Sequence, residues 1–371
     1  MIITMSFLAY EMYYKLLSIC LFIALIFANC VDNESVPIKL IQSTSTFSLN
    51  ITDIDNTLKW KLSNSSSGRQ FSFYNFHSNE IQFYNLDQEK IEKAVKIQNE
   101  GPNKASVNEY LILDSSVYCF DAPWIRELNY KGELLHTMEL KHPIEDNFLY
   151  EASSVFFDGI ADHSTQKIYP LMSHDGDGLK DEIEIATVNV IDKSIDYYSI
   201  PGLPDYYEKL ESLRSHWMVY SMFAPYITLI KDEIFLSFPL NGDIYIYNND
   251  QWIRKDLNSK FYSKNNHVLI FADVNKKSIG PMIYGNPHFG PLYYDEFREM
   301  YVRISWLPKE NDKRKAVMSL YDCELNLLHE FVLDKTIDPR RLAILEDGIY
   351  LKEFALSENE LRFRVFSVES D

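Results

Sequence analysis

Phe83-Tyr84-Asn85-Leu86-Asp87-Gln88-Glu89-Lys90 reads as an apolar strand that runs into an asparagine, then a polar turn, then a return. The pattern recurs as ELNYKGEL (127–134), TVNVIDKS (187–194), IYIYNNDQ (244–251), SLYDCELN (319–326) and RVFSVESD (364–371). Its anchors, Asn85, Asn129, Asn189, Asn248, Asp322 and Ser367, are spaced by 44, 60, 59, 74 and 45 residues. The mean of roughly 56 residues suits the four strands of a propeller blade plus its loops. A sandwich would instead show strands about every 8 to 12 residues. The reading is therefore an all-β, six-bladed β-propeller with four antiparallel strands per blade.

Working outward, Met300, Val302, Ile304 and Trp306 alternate with Tyr301, Arg303 and Ser305, and Leu361, Phe363 and Val365 alternate with Arg362 and Arg364. That is the period-2 pattern of half-buried strands. Lys131-Gly132, Asn241-Gly242 and Asp347-Gly348 predict hairpin turns, and the 25 Tyr and 23 Phe suit pleated surfaces. The segments 36–41 and 46–51 are expected to close the ring by pairing with the last blade, near residues 344–368. One helix is expected over Asp205–Ser215, and a loop over residues 63–68, within SNSSSGRQ.

The N-terminus reads as an address. Leu16 to Ala28 is an uncharged run of thirteen residues preceded by Lys15, which matches a signal-peptide core of about 7 to 15 residues and falls short of the roughly 20 needed to span a bilayer. Phe27-Ala28-Asn29-Cys30 resembles a lipobox, which makes Cys30 the expected lipidation site; ordinary secretion and an uncleaved anchor are the alternatives. Several acyl chains anchor a protein stably, whereas one does not. The acidic stretch Val31-Asp32-Asn33-Glu34-Ser35 resembles the export tether of surface lipoproteins in Bacteroidota. The expected organisation is a signal peptide over 1–29, a lipidated cysteine and tether over 30–45, and a single propeller over 46–371, located at the bacterial outer membrane or cell surface.

Of the 371 residues 46% are hydrophobic and 24% charged, which excludes wholesale disorder. The balance of 36 Lys+Arg against 54 Asp+Glu gives a formal charge of −18. Such a chain repels phosphate backbones, so nucleic acid is not expected as a partner. Cys119 and Cys323 lie in strand-like runs and are expected as two buried free thiols rather than a disulfide.

Together, the lipobox-like start, the six β units and the segments YNFHSNEIQFYNLDQ (74–88), APYITLIKDEIFLSFPLNGDIYIYN (224–248) and YYDEFREMYVRISWLP (293–308) resemble the six-bladed β-propeller lipoproteins of Bacteroidota, a family defined by a domain of unknown function. The resemblance covers nearly all the mature chain. It implies the fold and the envelope location, and it carries no catalytic residues over.

Chemistry is sparser. The sequence contains no GxGxxG, GxxxxGK, GxSxG, HExxH or CxxC. SHDGDGLKDEIE (173–184) lies on the twelve-residue calcium loop with oxygen ligands from Ser173, Asp175, Asp177, the Leu179 carbonyl, Asp181 and a bidentate Glu184. Serine at the first position, Lys180 and strand-like flanks depart from that loop, and a solvated acidic hairpin is the other reading. Tyr293, Tyr294, Arg298, Arg303 and Trp306 form a candidate ligand surface, since arginine forks with aromatic platforms suit carboxylates or sugars; cross-strand packing explains the same residues. His77, His163, His174, His216 and His288 lack ligand spacing, while His216-Trp217, Glu109 and Glu151 are placed near the channel. The functional expectation is a non-enzymatic binding or scaffold lipoprotein for a peptide, glycan or protein partner. The alternative is a calcium-assisted hydrolase or lyase with its site at the channel mouth.

Overall fold

The computed structural model describes residues 38–50, 60–65, 68–105, 107, 109–121, 124–140, 155–173, 183–199, 225–248, 251–262, 284–310, 314–354 and 360–370. It divides into two compact units. One is Gln42–Ser367, and the other joins Met1–Ile41 to Val368–Asp371.

Strand β1 (Ile38–Asn50) opens the described chain. Blade one is β2 (Trp60–Ser65), β3 (Gly68–Asn75), β4 (Glu80–Asn85) and β5 (Lys90–Lys96); blade two is β6 (Glu109–Leu113), β7 (Ser116–Asp121), β8 (Trp124–Asn129) and β9 (Leu134–Glu139). Blade three is β10 (Val155–Asp162), β11 (Lys167–Ser173), β12 (Ile183–Asn189) and β13 (Ile195–Ser199); blade four is β14 (Tyr226–Ile230), β15 (Glu233–Phe238), β16 (Asn241–Asn248) and β17 (Gln251–Lys255). Blade five is β18 (His288–Asp295), β19 (Met300–Trp306), β20 (Ala316–Tyr321) and β21 (Leu327–Val332). Blade six is β22 (Ile337–Leu345), β23 (Gly348–Glu353) and β24 (Glu360–Ser370), with β1 as its fourth strand in the order β22-β23-β24-β1. The N-terminal strand thus completes the last blade as expected. It begins at Ile38, inside the 30–45 stretch read as a tether.

The six sheets form a propeller because their first strands are mutual neighbours: β6 touches β10, β10 touches β14, β14 touches β18, β18 touches β22, and β22 touches β2. Between blades the faces pack through aromatic and aliphatic side chains. Trp60, Phe71, Phe73, Tyr350 and Phe363 join blades one and six, with the Trp60 and Phe363 rings edge to face at 5.4 Å. Such pairs add about 0.5–1.5 kcal/mol beyond the area they bury. Phe83, Val95, Tyr110 and Val117 join blades one and two, and Phe235, Ile244, Leu292 and Tyr301 join blades four and five.

The repeat anchors have a physical role. The Asn85 side-chain oxygen accepts the Asp87 and Gln88 N–H groups, both at 2.9 Å; Asn129 accepts from Lys131 and Glu133, Asn189 from Ile191, and Asp322 from Glu324 and Asn326. Each closes the corner from the third to the fourth strand of its blade, because Asn and Asp mimic a backbone turn with their own oxygen. Asn248 ends β16 at the same corner. Ser367 lies within β24, since the fourth strand there comes from β1 and no turn is needed.

Several local expectations shift. Gly132 sits in its turn with φ +78°, and a Cβ there would lie 2.2 Å from the Lys96 carbonyl. Asn241-Gly242 opens β16 and the turn is Pro239-Leu240; Gly348 opens β23 and the turn is Glu346-Asp347. Proline at the first turn position, with its φ already fixed, explains the former. The expected loop at 63–68 is a hairpin in which Ser65 faces Gly68. Cys119 is buried, but Cys323 sits exposed in the corner after β20, so only one of the two thiols behaves as a core residue. The Asp205–Ser215 helix, Cys30 and the signal segment lie outside the described residues. Among the described residues no helix is long and apolar enough to cross a membrane.

Candidate binding site in the central channel

The inner strands surround two adjoining cavities. One of about 450 Å3 is lined by Trp60, Lys61 and Leu62 of β2, Ile160 of β10, Tyr226, Ile227 and Thr228 of β14, Pro291, Tyr293 and Tyr294 of β18, and Arg340 to Ile344 of β22. The second shares Lys61, Leu62, Ile160 and Thr228 with it and adds Gln70, Ile112, Asp162, His163 and Ser164.

Irregular inner strands shape this lining. Ile337 faces Glu353, whereas Leu342 faces Leu351, so Asp338, Pro339, Arg340 and Arg341 stand against the single residue Lys352. Proline cannot donate to the ladder and is confined to edges and bulges, and a bulge re-aims the side chains it carries. Here it delivers two adjacent arginines to the channel. On β18, Phe289 faces Ser305 while Leu292 faces Arg303, so Gly290 and Pro291 form a second bulge. Gly290 is required there, because a Cβ would lie 2.8 Å from the Ile304 carbonyl.

Carboxylates fix the arginines from beneath. Asp338, with a side chain 5% exposed, accepts from Arg340 at both oxygens (Nε 2.7 Å, Nη2 2.5 Å) and from the Arg340 backbone N–H. The Arg340 side chain keeps 43% of its surface exposed. Arg341 donates to Glu109 of β6 at 3.3 Å and to the Trp60 carbonyl of β2 at 3.5 Å. The Lys61 ammonium lies 5.4 Å from the centre of the Tyr110 ring. Burial lowers the pKa of Lys352 under the bulge; Asp338 opposes that shift and Arg340 adds to it. Tyr226 pairs its hydroxyl with His288 Nε2 at 3.0 Å, and burial, with Arg314 and Arg303 nearby, pushes His288 down to about 3. The imidazole is therefore neutral at pH 7.

The residues expected from sequence fall in different places. Tyr294 lines the channel, with its ring against Tyr301 and the Lys231 ammonium 4.8 Å away. Arg303 is buried, donating to the Gly290 and Gly242 carbonyls at 3.0 and 2.6 Å. It thus holds the β18 bulge and ties blade five to blade four, and it is not part of a surface. The alternation along β19 does not separate an inside from an outside, since Met300 to Ser305 are all buried: neighbouring blades cover both faces. Arg298 sits in the β18–β19 turn, bonded to Asp295 and the Glu346 carbonyl, and Trp306 ends β19 with the Arg314 guanidinium 5.4 Å from its ring. The four do not form one surface. Glu109 does open an inner strand, as expected. Glu151, His174, His216 and Trp217 lie outside the described residues, as do Asp175, Asp177, Leu179 and Asp181 of the calcium loop. Ser173 ends β11 and Glu184 lies in β12. Lys61, Arg340 and Arg341 were not singled out by sequence.

Comparison with known proteins places the chain. The model of a domain of unknown function, DUF4221, matches residues 37–331. No curated protein matches the sequence. A crystal structure of a DUF4221 member from Bacteroides vulgatus superposes with a TM-score of 0.65 at 12% identity, covering 91% of this chain and all of that one. A Bacteroides fragilis protein whose name marks it as exported gives a TM-score of 0.51 at 9% identity over 91% of this chain and 97% of its own. At these identities the likeness speaks for the fold alone, and it is the sequence match across most of the chain that makes this six-bladed propeller a member of the DUF4221 family.

Proposed function

We propose that the protein is a cell-envelope lipoprotein, held at the outer membrane through Cys30, that acts as a non-enzymatic propeller and binds its peptide, glycan or protein partner at the central channel. The observation that carries this reading is the cavity of about 450 Å3 on the inner strands, lined by tyrosines and cationic side chains. Its volume falls within the roughly 300–1,000 Å3 of small-molecule sites. The export-type N-terminus and the name of the Bacteroides fragilis relative support the location.

The lining favours binding over hydrolysis. Among its described residues the 450 Å3 cavity presents no carboxylate. Asp162, at the adjoining cavity, accepts from the Ser164 and Thr165 backbone and hydroxyl groups, which commits it to its turn.

A glycan and peptide array probed with the full chain tests the proposal. Binding that is lost in Tyr293→Ala is the expected result; an array on which no binding depends on the channel overturns it. Mass spectrometry of the native N-terminal peptide tests the anchor: acylated Cys30 in the outer-membrane fraction is expected, and an unmodified soluble N-terminus refutes it.

A further inference from the structure

We infer that the channel recognises a carboxylate-bearing glycan, with Arg340 and Lys61 binding the carboxylate and the tyrosines of β14 and β18 receiving the sugar rings. The inference rests on the channel reading above and narrows it to one ligand chemistry.

Three observations converge. The first is charge placement. The chain carries −18 overall, yet the described lining of the cavity holds Lys61, Arg340 and Arg341 and no carboxylate. The partners of the two arginines, Asp338 and Glu109, are almost fully buried behind them and outside that lining, so the charged groups the cavity itself presents are cationic.

The second is preorganisation. Arg340 is held on the bulge by the buried Asp338, which takes one edge of the guanidinium and the backbone N–H together, while much of the side chain still faces solvent. An arginine fork fixed in this way meets a planar carboxylate without first losing rotamer freedom. Asp338 stands to Arg340 as a positioning residue.

The third is the company these cations keep. Tyr226, Tyr293 and Tyr294 line the same cavity. Tyrosine presents an apolar body with a polar tip, which suits a sugar's C–H face and hydroxyls together. An extended acidic peptide would draw on the cations and leave these rings unused, so an acidic sugar fits the lining better.

The test is calorimetric titration of the full chain in detergent with trigalacturonate, with galactotriose as the neutral sugar and hexaglutamate as the acidic peptide. Trigalacturonate is expected to bind and galactotriose to bind at least about tenfold more weakly, a difference of about 1.4 kcal/mol. Lys61→Gln and Arg340→Gln should each weaken trigalacturonate about tenfold or more, whereas Arg254→Gln, on the outer strand β17, should not. If Arg340→Gln fails to fold, Lys61→Gln carries the test. Equal binding of the neutral trisaccharide, tighter binding of hexaglutamate, or binding of trigalacturonate that ignores Lys61→Gln overturns the inference. If a neutral glycan or a peptide binds and Tyr293→Ala abolishes that binding, the channel reading survives and the acidic-sugar inference alone falls.

Discussion

The Arg341 guanidinium on β22 lies 3.3 Å from the Glu109 carboxylate on β6, across the ring from blade six to blade two, while its other arm reaches the Trp60 carbonyl of blade one. One side chain therefore ties three blades through their innermost strands. Glu109 is nearly buried, whereas Arg341 is about one-third exposed.

Removing one partner of a buried pair leaves the other charge desolvated, at a cost of about 3–5 kcal/mol in a dry site. Water reaching the exposed side of Arg341 reduces that, so Arg341→Met is expected to destabilise by about 1–3 kcal/mol. Glu109→Gln should cost less, and the double variant should recover part of the loss, giving a coupling of about 1 kcal/mol. Urea unfolding of the four proteins measures it. Strictly additive effects would mean that the two side chains act independently.

The blade count was legible because one residue type serves one corner. An Asx turn requires Asn or Asp at the end of the third strand, which is where Asn85, Asn129, Asn189 and Asp322 stand. Asn85 is fully buried and also donates to Glu92 at 2.8 Å, so Asn85→Ala strands two backbone N–H groups and should cost about 2–3 kcal/mol. Ser367→Ala, at the sixth anchor inside β24, should stay within about 0.5 kcal/mol. Equal losses at the two positions would show that the corner is not what the repeat marks.

The site was less legible, for a physical reason. Alternation predicts facing only while the ladder keeps its register, and in β22 the run Asp338-Pro339-Arg340-Arg341 breaks it. The signal present in the sequence was Pro339 itself, set between Asp338 and Arg340 at the head of the apolar stretch Leu342–Leu345, since a proline within a strand marks an edge or a bulge. Arg303 misled in the opposite sense. An arginine on a strand suggests a ligand surface, but in a blade enclosed on both sides its guanidinium finds the Gly290 and Gly242 carbonyls instead.

His288 gives the fold an acid-side sensitivity. Its pKa is about 3 in the folded protein against about 6.5 in an unfolded chain. As the pH falls the unfolded state takes up the proton first, so the histidine's contribution is fully present above about pH 6.5 and is lost progressively toward pH 3. The urea midpoint of the wild type should therefore fall between pH 7 and pH 4, and His288→Gln should fall less over the same range. Parallel profiles would mean that the imidazole is protonated alike in both states.

The β11–β12 connection holds the expected calcium loop, and the strand register bears on it. Ser173 faces Ile183 and Met172 faces Glu184, so the backbone of the first and last ligand positions comes together at the neck of the hairpin. A twelve-residue calcium loop needs that closure, because its first and twelfth residues bind the same ion. The β11–β12 pairing brings the backbones of those two positions together. With serine in the first position the loop has one carboxylate fewer, and the affinity should be correspondingly weak. At ten to a hundred times Kd, calcium should stabilise by about 1–3 kcal/mol and raise Tm in millimolar calcium relative to chelator. An Asp175→Asn, Asp177→Asn double variant should remove the rise without lowering the Tm measured in chelator. Tm unchanged by calcium, with no heat of binding in calorimetry, would leave the loop as a solvated acidic hairpin.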